Sequence, residues 1–131
     1  MIGLDTNFLL RYLLRDDAAQ AQIAQSRMER EIAAGKIFFV DHIVLCELVW
    51  VLASRYALSK ADIVYALEHL FAAVQFHFEQ RDVAMRALND FRSGAADFAD
   101  CLIARKNQAA NCGKTLSFDK AAGRLEQFEV L

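Results

Sequence analysis

Five acidic side chains stand at positions where a carboxylate could do chemistry. Asp5 ends the apolar stretch Ile2-Gly3-Leu4 and opens a helical segment. Glu47 lies inside the run Val44-Leu45-Cys46-Glu47-Leu48-Val49-Trp50-Val51-Leu52. Asp97 and Asp100 open one helix three residues apart, and Asp119 follows Thr115-Leu116-Ser117-Phe118. Each has an ordinary explanation when taken alone. Asp5, Asp97 and Asp119 are of the type that caps helices, and Asp100 in a first turn suits the helix dipole. Glu47 could belong to a buried ion pair or to a groove edge; on an apolar surface its ionised form would cost on the order of several kcal/mol without a partner. Together they suggest more. In a parallel sheet the corners after the strands collect along one edge, and carboxylates gathered there repel unless a cation joins them. An all-oxygen, anionic donor set suits Mg²⁺ or Mn²⁺, which activates water and stabilises in-line displacement at phosphorus.

Other chemistries fit poorly. The histidines, His42, His69 and His77, show no HExxH spacing and read as surface or partly buried residues. No Walker loop, GxGxxG or GxSxG is present among only five glycines. The three cysteines, Cys46, Cys101 and Cys112, include no CxxC pair. An odd count without a recognisable secretion signal predicts reduced thiols in a cytosolic protein. No uncharged run approaches the roughly 20 apolar residues of a membrane span. The net charge of −2 excludes binding of nucleic acid through a broad basic surface.

The elements that must position these acids follow from the apolar pattern. With 131 residues, 56% of them hydrophobic, and no proline, the chain predicts a single helix-rich domain. A short strand over Met1–Leu4 precedes a helix from Asn7 to Arg15. A second helix runs from Asp17 to Ala34, stopped by Gly35. The strand Ile37–Val40 precedes a helix to about Tyr56, and Ser59 with Asp62 resembles a capping box opening a helix to Ala73. Val74–Phe78 is a weaker strand. Helices follow over Arg81–Arg92 and Asp97–Ala110, then a strand Thr115–Phe118, a short helix Asp119–Leu125 and a last strand Phe128–Leu131. Strands alternating with helices imply βαβ units and a parallel sheet.

The segments Ile2-Gly3-Leu4-Asp5-Thr6-Asn7-Phe8-Leu9-Leu10-Arg11-Tyr12-Leu13, Cys46–Leu52, Asp97–Ala104 and Leu116–Asp119 resemble, in the same order, those of PIN-domain proteins, and among them the VapC-type toxin ribonucleases of toxin–antitoxin pairs. The resemblance spans nearly the whole chain. It implies an α/β/α sandwich of three layers around a short, mostly parallel sheet, with Asp5, Glu47, Asp100 and Asp119 as the catalytic, metal-holding acids. Ser117 would be the hydroxyl partner of Asp119, Thr6 and Asn7 would orient Asp5 or contact metal-bound water, and Asp97 would be a cap or an outer-shell acid. It further implies Mg²⁺ or Mn²⁺, an RNA substrate, a homodimer and a small antitoxin protein.

Arg11, Arg15, Arg105 and Lys120 are candidates to guide phosphates, against an ordinary solvated role for each. Ile63, Leu67, Leu70 and Phe71, with Trp50 and Tyr56, predict a dimer surface. Two other readings compete: a PIN-like binding module that does not cleave, and a receiver-type domain using Asp41 as its strand-end aspartate. The second lacks the early acidic pair such a domain needs.

Overall fold

Parallel strands cannot be joined by a tight turn, so each pair in the first half of the chain spends two helices on its crossover. The computed structural model describes residues 1–131, which form two units, Met1–Glu79 and Gln80–Leu131. In the first unit the order is β1 (Ile2–Gly3), α1 (Thr6–Leu14), α2 (Ala18–Ala33), β2 (Phe38–Val40), α3 (His42–Ser54), α4 (Lys60–Ala72) and β3 (Phe76–Phe78). The sheet runs β1-β2-β3, all parallel, with Ile2 opposite Phe38 and Phe38 opposite Phe76. Alternation along the strands is the expected two-residue period. Phe38, Val40, Phe76 and Phe78 are buried, while Phe39 stacks on the exposed His77 at 6.0 Å.

Local chemistry sets the helix starts. Asp5, Asp17 and Asp41 cap α1, α2 and α3 by accepting from the backbone N–H of Phe8, Gln20 and Val44 at 2.9, 2.9 and 2.8 Å. Ser59 caps α4 through the N–H of Asp62. Gly35, with φ +77°, follows α2 in the left-handed conformation that glycine adopts without strain. Strand β3 is shorter than the sequence suggests. Val74 is exposed, and Phe76 donates to the Ala73 carbonyl in a turn, so pairing starts only at Phe76.

The expected dimer surface is corrected here. Ile63, Leu67, Leu70 and Phe71 are at most 5% exposed and belong to the core, where Phe71 packs on Phe78 with ring centres 4.5 Å apart. The helical spacing was real, but it marks the inner face of α4. Tyr56 is half-buried and donates its hydroxyl to Asp16 at 2.8 Å. Only Trp50 of that set is exposed. His42 is also corrected: it is buried, with neither ring nitrogen hydrogen-bonded and Nδ1 3.8 Å from a Glu79 oxygen.

The second unit comprises α5 (Arg81–Ser93), α6 (Phe98–Ala109), β4 (Thr115–Ser117), a 3₁₀ turn (Ala122–Arg124) and β5 (Phe128–Val130), with β4 and β5 parallel. Phe91 meets Phe98 edge-on at 5.9 Å between α5 and α6. Arg105 of α6 grips Asp90 of α5 through two hydrogen bonds of 2.6 and 2.9 Å. The helix expected over Asp119–Leu125 is reduced to that single 3₁₀ turn. The turn packs so closely on β5 that a Cβ on Gly123 would lie 2.8 Å from Val130. Six helices and short parallel strands make the α/β, PIN-like fold that the sequence implies. The strands pair as a three-stranded and a two-stranded sheet.

The burial pattern separates two neighbouring helices' side chains sharply. Leu67→Ala, at a fully buried position, should cost about 2–5 kcal/mol, whereas Trp50→Ala should stay within about 0.5 kcal/mol. Urea unfolding followed by circular dichroism measures both.

Candidate functional site

In the first unit, the carboxyl ends of β1, β2 and β3 lead into Asp5, Asp41 and Glu79 respectively. Two of these acids serve the start of α3. Asp41 caps it, and a Glu79 carboxylate oxygen accepts from the His42 N–H at 3.0 Å. Asp5 is different. One of its oxygens accepts from the Phe8 N–H, and the exposed side chain borders two cavities. One cavity, about 360 Å³, lies along α1 and α2 and is lined by Asn7, Phe8, Arg11 and Ile23. The other, about 410 Å³, is lined by Thr6, Asn7, Glu47, Trp50 and Arg55.

Glu47 is not the buried acid its apolar neighbours suggest. It is exposed, on a stripe Ile43-Glu47-Trp50-Ser54 that recurs every three or four residues along α3. Its carboxylate accepts from the buried Thr6 hydroxyl at 3.3 Å, linking the start of α1 to the middle of α3. Thr6, Asn7 and Glu47 thus accompany Asp5 around one cavity.

The second unit holds the other acids. Asp97 caps α6 by accepting from the Asp100 N–H at 2.8 Å, so its capping role is established. Asp119 accepts from the Ala121 N–H at 2.9 Å, and its own N–H donates to the Ser117 hydroxyl at 2.9 Å. Asp100 is half-buried, and its carboxyl is pushed above the ordinary carboxylate range. Burial is the main cause, followed by the charges of Asp97 and Asp119. Asp100 therefore lies within electrostatic reach of Asp97 and of Asp119.

None of Asp5, Glu47, Asp97, Asp100 or Asp119 is paired with a lysine, arginine or histidine. No three His, Cys, Asp or Glu side chains form a group able to hold a metal by themselves. That rules out a closed cage of the structural-zinc kind. It is compatible with Mg²⁺, which keeps several waters and takes one or two carboxylates alongside substrate phosphates.

The basic candidates divide. Arg105 is committed to Asp90, and Arg11 to Asp16 and Gln20. Arg15 and Lys120 are exposed and carry no ion pair. Arg55, also exposed and unpaired, lines the Glu47 cavity. The sequence offered no signal for Arg55 beyond its place eight residues after Glu47, two turns along the helix.

A model of the PIN domain family matches residues 2–127. The chain belongs to the PIN domain family, whose members are generally nucleases acting on nucleic acid. No curated protein matches the chain. No helix is long and apolar enough to cross a membrane.

The raised Asp100 carboxyl sets a direction for stability against pH. The folded state holds that proton more tightly than the unfolded chain. Stability therefore falls as pH rises from the ordinary carboxylate range through the raised value, and the whole penalty is present at neutral pH. Asp100→Asn should raise the metal-free melting temperature at pH 7, with the advantage vanishing below about pH 4. Melts in chelator at both pH values test this; a variant equally destabilised at both would contradict it.

Proposed function

We propose that this chain is a Mg²⁺- or Mn²⁺-dependent endoribonuclease, the toxin of a VapC-type toxin–antitoxin pair. One observation carries the reading beyond family membership: all five acids are present and none is neutralised by a basic side chain. A PIN-like module that only bound its partner would gain nothing by keeping uncompensated carboxylates.

In this reading Asp5, Glu47, Asp100 and Asp119 are the candidate carboxylates, and a cation held through one or two of them would complete its shell with water and substrate phosphate. When bound, the cation acidifies a water and offsets charge on the phosphodiester oxygens. The chain's own residues then orient and bind. Thr6 fixes the Glu47 carboxylate through its hydroxyl. Ser117 fixes the backbone of Asp119, Asp97 anchors the helix start that carries Asp100, and Asn7 offers an amide beside Asp5. Arg15 and Lys120 attract phosphates. Arg11 and Arg105 act structurally through Asp16 and Asp90. In this reading the protein works in the cytosol as a homodimer, and a small antitoxin silences it by presenting an arginine to the acids, a pairing that their charge favours.

Asp5→Asn keeps the helix cap, since asparagine caps as well as aspartate, and removes the charge. RNA cleavage in Mg²⁺ should fall by at least about a hundredfold, or about 2.7 kcal/mol of barrier, with an unchanged circular dichroism spectrum. Cleavage at the wild-type rate would overturn the assignment.

A further inference from the structure

Trp50 is the chain's only tryptophan, and it is 64% exposed. An exposed indole presents a flat face on which another planar group can stack. Its position adds meaning. Trp50 lies one helical turn beyond Glu47 on the same exposed stripe of α3, and it lines the 410 Å³ cavity that also contains Asp5 and Asn7. Arg55 lines the same cavity, and its guanidinium has no partner. The cavity therefore offers an aromatic face, a free cation and the acids of the first unit within one concave surface.

With a net charge of −2, the chain cannot draw its affinity for a polyanion from a broad basic field. A nucleic acid must be held by few, specific contacts. Stacking of a base on an aromatic ring is one such contact, worth about 1–3 kcal/mol per base and independent of net charge. A single arginine nearby suits the phosphate of the same nucleotide.

Resting on the nuclease reading, we propose that Trp50 and Arg55 form a nucleotide subsite next to Asp5 and Glu47. Trp50 stacks one unpaired base of single-stranded RNA, and Arg55 holds the adjoining phosphate. The subsite selects single-stranded over duplex substrate, because a base in a duplex is already stacked and cannot reach the ring. It positions the strand; it takes no part in the bond-breaking step.

The lone tryptophan makes the test direct. A labelled, non-cleavable 2′-O-methyl oligoribonucleotide is titrated into the wild-type protein, with binding followed by anisotropy and Trp50 by its own fluorescence. Quenching should track binding. Trp50→Ala should weaken binding on the order of tenfold, Trp50→Phe should restore most of it, and Arg55→Ala should lower the slope of log affinity against log salt by about one. In single-turnover cleavage, Trp50→Ala should raise the half-saturating RNA concentration and leave the saturating rate near wild type. Binding that leaves Trp50 fluorescence unchanged, or Trp50→Ala binding like wild type, overturns the subsite while the nuclease reading stands. Absence of both binding and cleavage in the wild type overturns the nuclease reading and the subsite with it. A concentration-dependent blue shift of Trp50 emission without RNA, matched by dimer formation in sedimentation and abolished by Trp50→Ala, assigns the residue to a contact with a second copy and overturns the subsite.

Discussion

Each capping or turn-forming acid of the candidate site is held through one carboxylate oxygen by a backbone N–H. Asp5 takes the N–H of Phe8, Asp97 that of Asp100, and Asp119 that of Ala121. This interaction does two things at once. It fixes the carboxylate's orientation at a strand end or helix start, and at α1 and α6 the partial positive charge of the helix N-terminus offsets part of the anion's charge. The second oxygen of Asp5 and of Asp119 receives no protein hydrogen bond, whereas Asp97 also meets the Asp100 carboxyl. A side chain that holds its helix start in place and still has an acceptor to offer needs no supporting shell of its own. Asp41 shows the other outcome: it has the same local chemistry, but its neighbour Glu79 is also drawn into securing the start of α3.

Asp100 imposes a cost on the folded protein, because burial and the neighbouring Asp97 and Asp119 raise its carboxyl. Three other acids are compensated by arginine. Asp90 and Arg105 pair bidentately, Asp16 takes Arg11 and the Tyr56 hydroxyl, and Arg27 takes Glu31 one turn along α2. In the proposed reading a cation would supply positive charge at the reacting phosphate, and Arg15 and Arg55, which have no ion pair, would be left for the flanking phosphates.

Much of this was legible in the sequence because it is local. Caps at Asp5, Ser59 and Asp97, the stop at Gly35 and the continuous apolar run of β2 each depend on a few neighbouring residues. The misreadings share one cause: they needed knowledge of which face points inward. Helix α3 is apolar on nearly every side, so its pattern carries no phase and left Glu47 open to a buried pair or a groove edge; the structure shows the second. The α4 residues Ile63, Leu67, Leu70 and Phe71 have a clear phase, but the sequence cannot say whether that face meets the core or a second chain. Arg105 looked available because Asp90 lies on the preceding helix, beyond any local rule. Short segments failed for a different reason. The span after Asp119 is held by the close approach of Gly123 to Val130, a contact that no propensity encodes.

The proposed activity rests on the candidate acids binding a divalent cation. Calorimetric titration with Mn²⁺ tests it most directly, comparing wild type with Asp5→Asn from the first unit and Asp119→Asn from the second. The wild type should bind, and each single substitution should weaken binding about tenfold or more, as loss of a charged oxygen ligand requires. Equal Mn²⁺ affinity in all three proteins, or no binding by the wild type at millimolar concentration, would contradict it.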